Sequence, residues 1–277
     1  AMSWWGKMIG GYFGFVLGGP LGALLGAAVG HGFDRGMKQV KGEGPAPGDQ
    51  ERVQTAFFTA TFSVMGHLAK ADGRVTHDEI RFAEAVMSQM NLSGEMRRTA
   101  IRLFTEGKDP SFPLDSVLDQ FRKEVGRRRN LMRMFIEILI QAAWGDGEPT
   151  AEEERLLLRI CRRLGIPEFE FRVLEKMVAA QVRFRQQAGG GARAGGGGGY
   201  RPQPQRPSQE DAYAVLGLSR DATDAEVKKA YRRLMSQHHP DKLVAKGLPE
   251  EMMKVASQKT HEIKQAYEII KEARGIR

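Results

Sequence analysis

Two histidines, a proline, an aspartate and a lysine fill five consecutive positions, His238 to Lys242, within the segment "SQHHPDKL". Such residues can bind a metal, move protons, or form a compact tip that contacts another protein. Zinc needs three or four ligands, and the nearest further histidine is His261. Hydrolysis would need a nucleophile and an oxyanion-stabilising turn, and neither is evident. We therefore favour protein docking, and we predict no catalytic residue, no metal site and no cofactor.

The elements before this segment support docking. Thr223 and Glu226 fit a capping box that opens a helix from 224 to 237, which has one apolar face. Its other side carries four cations and no acid, namely Lys228, Lys229, Arg232 and Arg233. Pro240 cannot continue a helix, so we expect an exposed, rigid loop that holds His238, His239, Pro240 and Asp241. Basic charges beside such a loop would steer it onto an acidic protein surface.

Two further helices complete this unit, one after a cap at Ser208 and one from about 250 to 273, which would pack antiparallel to the basic helix. The connecting loop, Leu243 to Met253, is long. Four motifs follow in order and resemble a DnaJ-type J domain: "DAYAVLGL", "VKKAYRRL", "HPDK" and "IKQAYEII".

The J-domain resemblance implies a partner. Such a unit would bind DnaK, an ATP-driven chaperone, and stimulate its ATP hydrolysis so that DnaK closes on a client. His239, Pro240 and Asp241 match the family's signature, and Asp241 would pair with an arginine of DnaK. The four cations listed above match the family's basic docking face. The ATP chemistry would belong to DnaK, so this chain would not itself be an enzyme.

Two other functions remain open. The basic helix 227–236 could bind nucleic acid, which would make binding to any duplex steeply dependent on salt. The net charge of +8, however, is spread along the chain rather than gathered on one domain, so we expect no nucleic-acid partner. A metal-dependent enzyme using His238, His239 and Asp241 would instead show activity that is sensitive to chelators and independent of DnaK.

The N-terminal segment predicts a membrane anchor. Met8 to Gly30 contains no charged residue and as a helix would span ~35 Å, enough for a hydrocarbon core of ~30 Å. Glycine recurs at every fourth position, a spacing that lets two membrane helices approach closely. We predict a homodimer formed through this helix, with contacts at Gly10, Gly14, Gly18, Gly22 and Gly26.

The charges beside the anchor predict its orientation. Lys7 stands alone before the span, whereas Arg35, Lys38 and Lys41 follow it. Since cationic flanks remain in the cytoplasm, the short N-terminus would be periplasmic and the bulk of the chain cytoplasmic. A cleaved signal peptide is the competing interpretation, but no A-x-A cleavage site follows. The single cysteine, Cys161, excludes a disulfide framework.

The middle of the chain predicts an all-α domain with an internal repeat. "ADGRVTHDE" and "GDGEPTAEE" share the frame D-G-x-x-T-x-x-E. In each copy glycine would end a helix, while Thr76 or Thr150 would cap the next with Glu79 or Glu153. Cation binding at Asp72 and Asp146 is the alternative, but the ordered ligands of a calcium loop are missing. The two "DG" turns resemble the TerB-like fold, which is known mainly for interaction or sensing.

The whole order resembles the DjlA class of bacterial inner-membrane co-chaperones. That resemblance implies a single-pass inner-membrane protein that directs DnaK to membrane-associated clients, which stay unidentified. The chain would be all-α throughout. We place its parts as an N-terminal tail and transmembrane helix, a linker, a TerB-like domain, a flexible Gly/Pro-rich linker and a J domain, over 1–34, 35–50, 51–187, 188–207 and 208–277.

Overall fold

The chain is a helical protein throughout the part that its computed structural model describes. The structure describes residues 17–30, 48–71, 83–84, 86–88, 92, 94–144, 147–188 and 208–276, and these contain no strand. The all-α prediction is therefore confirmed. The helices are α1 Gly19–Gly30, α2 Asp49–Leu68, α3 Gly94–Gly107, α4 Leu114–Val125, α5 Arg129–Ala143, α6 Ala151–Leu164, α7 Glu168–Ala188, α8 Gln209–Val215, α9 Asp224–His238, α10 Pro240–Val244 and α11 Met253–Arg274, with a 3₁₀ turn at Glu250–Met252.

Helix α2 forms the centre of the TerB-like domain. It packs against α3, α4 and α5, and its phenylalanines Phe57, Phe58 and Phe62 have no exposed surface. Every residue from Val53 to Gly66 is buried, so neighbouring helices surround α2 on all sides. The closest neighbour is α3, because a Cβ on Gly107 would lie 1.8 Å from the Ser63 carbonyl oxygen. Glycine therefore lets the two backbones touch.

The second copy of the internal repeat has the predicted cap. The Glu153 amide donates to Thr150 Oγ1 at 3.2 Å, and the Thr150 amide donates to Glu153 Oε2 at 2.8 Å. This reciprocal pair satisfies two amides at the start of α6 that would otherwise lack partners. The first copy beyond Ala71, with Asp72, Thr76 and Glu79, lies outside the described residues, as does Asp146. The cap predicted for the first copy, at Thr76 and Glu79, stays a prediction.

Helix α1 lies on the TerB-like domain. Leu21 and Leu25 are buried against α3 and α4, and Gln120 Nε2 donates to the carbonyl oxygens of Leu17 and Gly18 at 3.0 and 2.9 Å. Gly18 is not helical and has a φ of +56°, so the described part of the predicted span is not one continuous helix. Among the described residues, no helix has both the length and the apolar character needed to cross a bilayer.

Helices α8 to α11 form the J domain. Arg274, at the end of α11, contacts Asp224 at the start of α9, and the rings of Tyr231 and Tyr267 stack with centroids 4.2 Å apart. The end of α11 thus lies beside the start of α9, and the middles of the two helices are in contact. The predicted antiparallel hairpin is therefore confirmed. Helix α7 links the two domains, because its first half packs in the TerB-like core and its second half packs in the J-domain core.

Candidate protein-docking site

Helix α9 presents the predicted basic face. The Glu226 amide donates to Thr223 Oγ1 at 3.3 Å, which completes the predicted capping box. The buried side is formed by Val227, Ala230 and Leu234. On the other side Lys229, Arg232 and Arg233 are exposed, and Lys228 is half-buried. None of the three exposed cations pairs with a carboxylate that the structure describes, so their charge faces solvent.

The junction between α9 and α10 holds the His239-Pro240-Asp241 signature. His239 leaves the helical conformation, with ψ at 121°, and Pro240 then begins α10. Proline suits that position because the first helical amide needs no partner. His239 and Asp241 are exposed. The side chain of Leu243 is fully buried and fixes α10 on the protein. His239 and Asp241 therefore lie on a turn with a fixed position.

Two details of the junction differ from the sequence prediction. The predicted loop is mostly helical, because Pro240–Val244 closes its own turn, with the Ala245 amide donating to the Asp241 carbonyl oxygen at 2.9 Å. His238 is the last residue of α9 and only 3% exposed, so it is no part of an exposed loop. The prediction that placed it there was wrong, since Nε2 of His238 lies 3.0 Å from both carboxylate oxygens of Glu137 on α5.

The sequence analysis did not predict one buried cluster of three polar side chains. Glu137, His238 and Lys259 are each at most 3% exposed and meet between the two domains. Burial alone would raise the pKa of Glu137, but the charges of His238 and Lys259 outweigh it and hold that pKa well below its usual value. A signal was available for two of them, because each continues an apolar stripe: His238 follows Leu234 by four positions, and Lys259 follows Val255 by four.

The remaining predicted site residues lie apart from the junction. Gly22 on α1 is buried, whereas Gly26 is exposed and has open space around its Cα. Gly10 and Gly14 lie outside the described residues. No three histidine, cysteine or acidic side chains that the structure describes are placed to hold a metal ion. No finding supports the nucleic-acid alternative.

The comparisons with known proteins agree with this architecture. The fold and the signature define a J-domain protein: the DnaJ domain model matches residues 211–275. Two more family models match, the tellurite resistance protein TerB over 58–176 and the transmembrane domain of co-chaperone DjlA over 2–40. No solved structure matches the chain.

Full-length relatives identify the family. The co-chaperone protein DjlA of Coxiella burnetii is 47% identical over 99% of this chain and 100% of its own length. Those of Photobacterium profundum and Shewanella oneidensis are 46% and 44% identical, over 99% and 100% of this chain and all of theirs. The chain belongs to the DjlA family of co-chaperones.

Proposed function

We propose that this chain is an inner-membrane co-chaperone whose J domain binds DnaK and stimulates its ATP hydrolysis. The observation that carries the proposal is the geometry at the end of α9. There His239 and Asp241 stand exposed on a turn fixed by Pro240, directly beyond a helix face that carries the exposed cations Lys229, Arg232 and Arg233. This arrangement suits transient recognition of an acidic surface followed by one specific contact.

Each part of the site has a separate role in this proposal. The cations Lys228, Lys229, Arg232 and Arg233 attract the acidic partner and increase the rate of association, an effect that salt would screen. Asp241 then pairs with an arginine of DnaK, a charge-assisted contact that fixes orientation. The chain itself performs no bond chemistry, because ATP is bound and hydrolysed by DnaK.

Single-turnover ATP hydrolysis by DnaK tests this function. The full-length chain in lipid nanodiscs should accelerate hydrolysis, and the His239→Gln variant should not. His261→Gln is the matched control, because it removes another exposed histidine of the same domain, on α11. Equal stimulation by wild type and His239→Gln would refute the assigned role of the signature.

We propose that residues near the N-terminus anchor the chain with the N-terminus in the periplasm. The match of residues 2–40 to the DjlA transmembrane domain and the cations at positions 35, 38 and 41 support this orientation. DnaK would then act on clients at the cytoplasmic side of the membrane. A Ser3→Cys variant in intact cells should react with a maleimide that crosses only the outer membrane. Labelling only after lysis would reverse the topology.

We propose that the glycine ladder, Gly10, Gly14, Gly18, Gly22 and Gly26, supports homodimerisation. Its spacing permits close helix approach, and Gly26 is exposed with no atom within 4 Å of an added Cβ. Gly26→Ile would therefore block a partner helix without disturbing contacts within the chain. Energy transfer between labelled copies in vesicles should fall in this variant. Unchanged transfer would exclude Gly26 from the dimer contact.

A further inference from the structure

The segment between α9 and α11 buries its large apolar side chains on the TerB-like domain. Leu243, Leu248 and Met252 are at most 1% exposed, and all three belong to the TerB-like core cluster rather than to the J-domain core. Gly247, with a φ of +102°, lies so near α2 that an added Cβ would be 2.6 Å from Val53 Cγ1. The long loop predicted from the sequence, Leu243 to Met253, thus packs against the TerB-like domain.

Lys259 on α11 inserts into a socket formed by the TerB-like domain, which we call the lysine socket. Its Nζ donates to Glu137 Oε2 at 2.8 Å and to Gln181 Oε1 at 3.2 Å. With the Gln141 amide oriented to accept, its oxygen lies 3.3 Å from the same Nζ. All three ammonium protons therefore have acceptors on α5 and α7. A buried ammonium is tolerated only when paired and hydrogen-bonded in this way.

His238 makes a second polar contact with the same carboxylate. Its Nε2 faces Glu137, and its Nδ1 lies 3.1 Å from the Leu234 carbonyl oxygen. Both neighbours are hydrogen-bond acceptors, so whichever ring nitrogen carries a proton has an acceptor beside it. Glu137 therefore contacts polar side chains from two J-domain helices, α9 and α11. One carboxylate on α5 thus determines the position of the residue that immediately precedes the signature.

The outward side of the J domain stays accessible in this arrangement. His239, Asp241, Lys229 and Arg232 are exposed while His238 and Lys259 are buried. The contact with the TerB-like domain and the surface assigned to DnaK therefore lie on different sides of the same hairpin. Docking within the chain leaves the signature free to meet a partner.

We propose that the face of the TerB-like domain formed by α2, α5 and α7 is a receptor for the J domain of the same chain. The J domain contributes Lys259 to the lysine socket and places His238 against Glu137. It also buries the apolar side chains of the 243–253 segment beside α2. The J domain consequently has a fixed orientation on the TerB-like domain, which the 188–207 linker alone would not impose. Any effect of this orientation on the recruitment of DnaK rests on the proposed function, but the docking itself does not.

Cutting the linker tests the docking directly. A site for a specific protease is inserted into residues 189–207 of the full-length chain, which is purified in detergent, cut, and passed over a size-exclusion column. The C-terminal fragment should co-elute with the N-terminal part. Lys259→Met, which removes the ammonium, and Gly247→Val, which collides with Val53, should each release it. Separation of the wild-type fragments would overturn the proposal.

Two further variants distinguish undocking from misfolding. Glu137→Gln leaves the C-terminal fragment with its native sequence, so its release would report loss of the socket. Lys229→Ala removes an exposed cation from the opposite side and should leave co-elution unchanged. Release by Lys229→Ala as readily as by Lys259→Met would contradict the assigned face.

A DnaK assay on uncut protein separates this inference from the proposed function. Lys259→Met should retain stimulation of ATP hydrolysis because the signature is exposed in the docked state, whereas His239→Gln should lose it. If wild type fails to stimulate DnaK but its fragments co-elute, the function fails and the docking stands. If Lys259→Met stimulates severalfold more than wild type, the docked state hides the signature, which would contradict the outward orientation.

Discussion

The buried ion pair between Glu137 and Lys259 gives a quantitative prediction about how strongly the domains are coupled. The two charged atoms lie 2.8 Å apart, and the side chains are only 3% and 2% exposed. Removing one member of a buried pair leaves the other uncompensated, which costs about 3–5 kcal/mol. Glu137→Leu leaves Lys259 without a carboxylate and should therefore lower the free energy of opening of α11 by roughly that amount. Lys259→Met should cost less, because Glu137 keeps His238 at 3.0 Å and Arg133 at 3.6 Å.

The double variant isolates the interaction itself. Because both charges are then gone, its cost should be smaller than the sum of the two single costs, by about 0.5–3 kcal/mol for residues in direct contact. Hydrogen exchange of the peptide spanning Met253–Arg274, followed by mass spectrometry, measures each opening free energy. The exposed pair Arg155–Glu152, at 3.4 Å, is the control and should show almost no coupling.

Additive single costs would refute the reasoning. If the double variant loses as much as the two single variants combined, Glu137 and Lys259 do not interact in solution. The lysine socket would then not hold the J domain.

Three other predictions follow from buried or capping groups. Burial raises the pKa of the Cys161 thiol to about 12, so native protein at pH 8 should not react with a thiol reagent, while urea-unfolded protein should. The docked pKa of Glu137 lies below its ordinary value of 4.5 because His238 and Lys259 lie beside the carboxylate. Docking is therefore stabilised above pH 4.5 and weakens as the pH falls below it, so co-elution of the cut fragments should decline in acid. Thr150→Ala removes the cap of α6 and should destabilise the TerB-like domain by about 1 kcal/mol, as measured by urea unfolding, whereas Thr150→Ser should cost less.

Much of the fold could be predicted because local signals agree with the packing. The middle of the chain predicts an all-α domain, and the structure has helices α2 to α7 there. Apolar residues recur with helical period, and caps such as Thr150 mark the starts. The J domain was equally clear, because its signature residues stand next to each other in the sequence.

The relation between the domains could not be predicted from local pattern. Lys259 and Glu137 are far apart in sequence, and a charged residue within an apolar stripe indicates burial without naming its partner. The linker's composition indicated free movement, yet the structure buries the 243–253 loop on α2. The predicted span from Met8 to Gly30 likewise gave no sign that α1 would contact Gln120. Such contacts depend on the tertiary arrangement of surfaces, which periodicity does not encode.

The central claim is that the signature acts on DnaK, and one measurement tests it most directly. Single-turnover ATP hydrolysis by DnaK is followed with full-length chain in nanodiscs, comparing wild type with Asp241→Asn, which keeps the shape of the side chain and removes its charge. The account predicts acceleration by wild type and almost none by Asp241→Asn. Failure of the wild type to accelerate hydrolysis, or equal acceleration by both proteins, would contradict it.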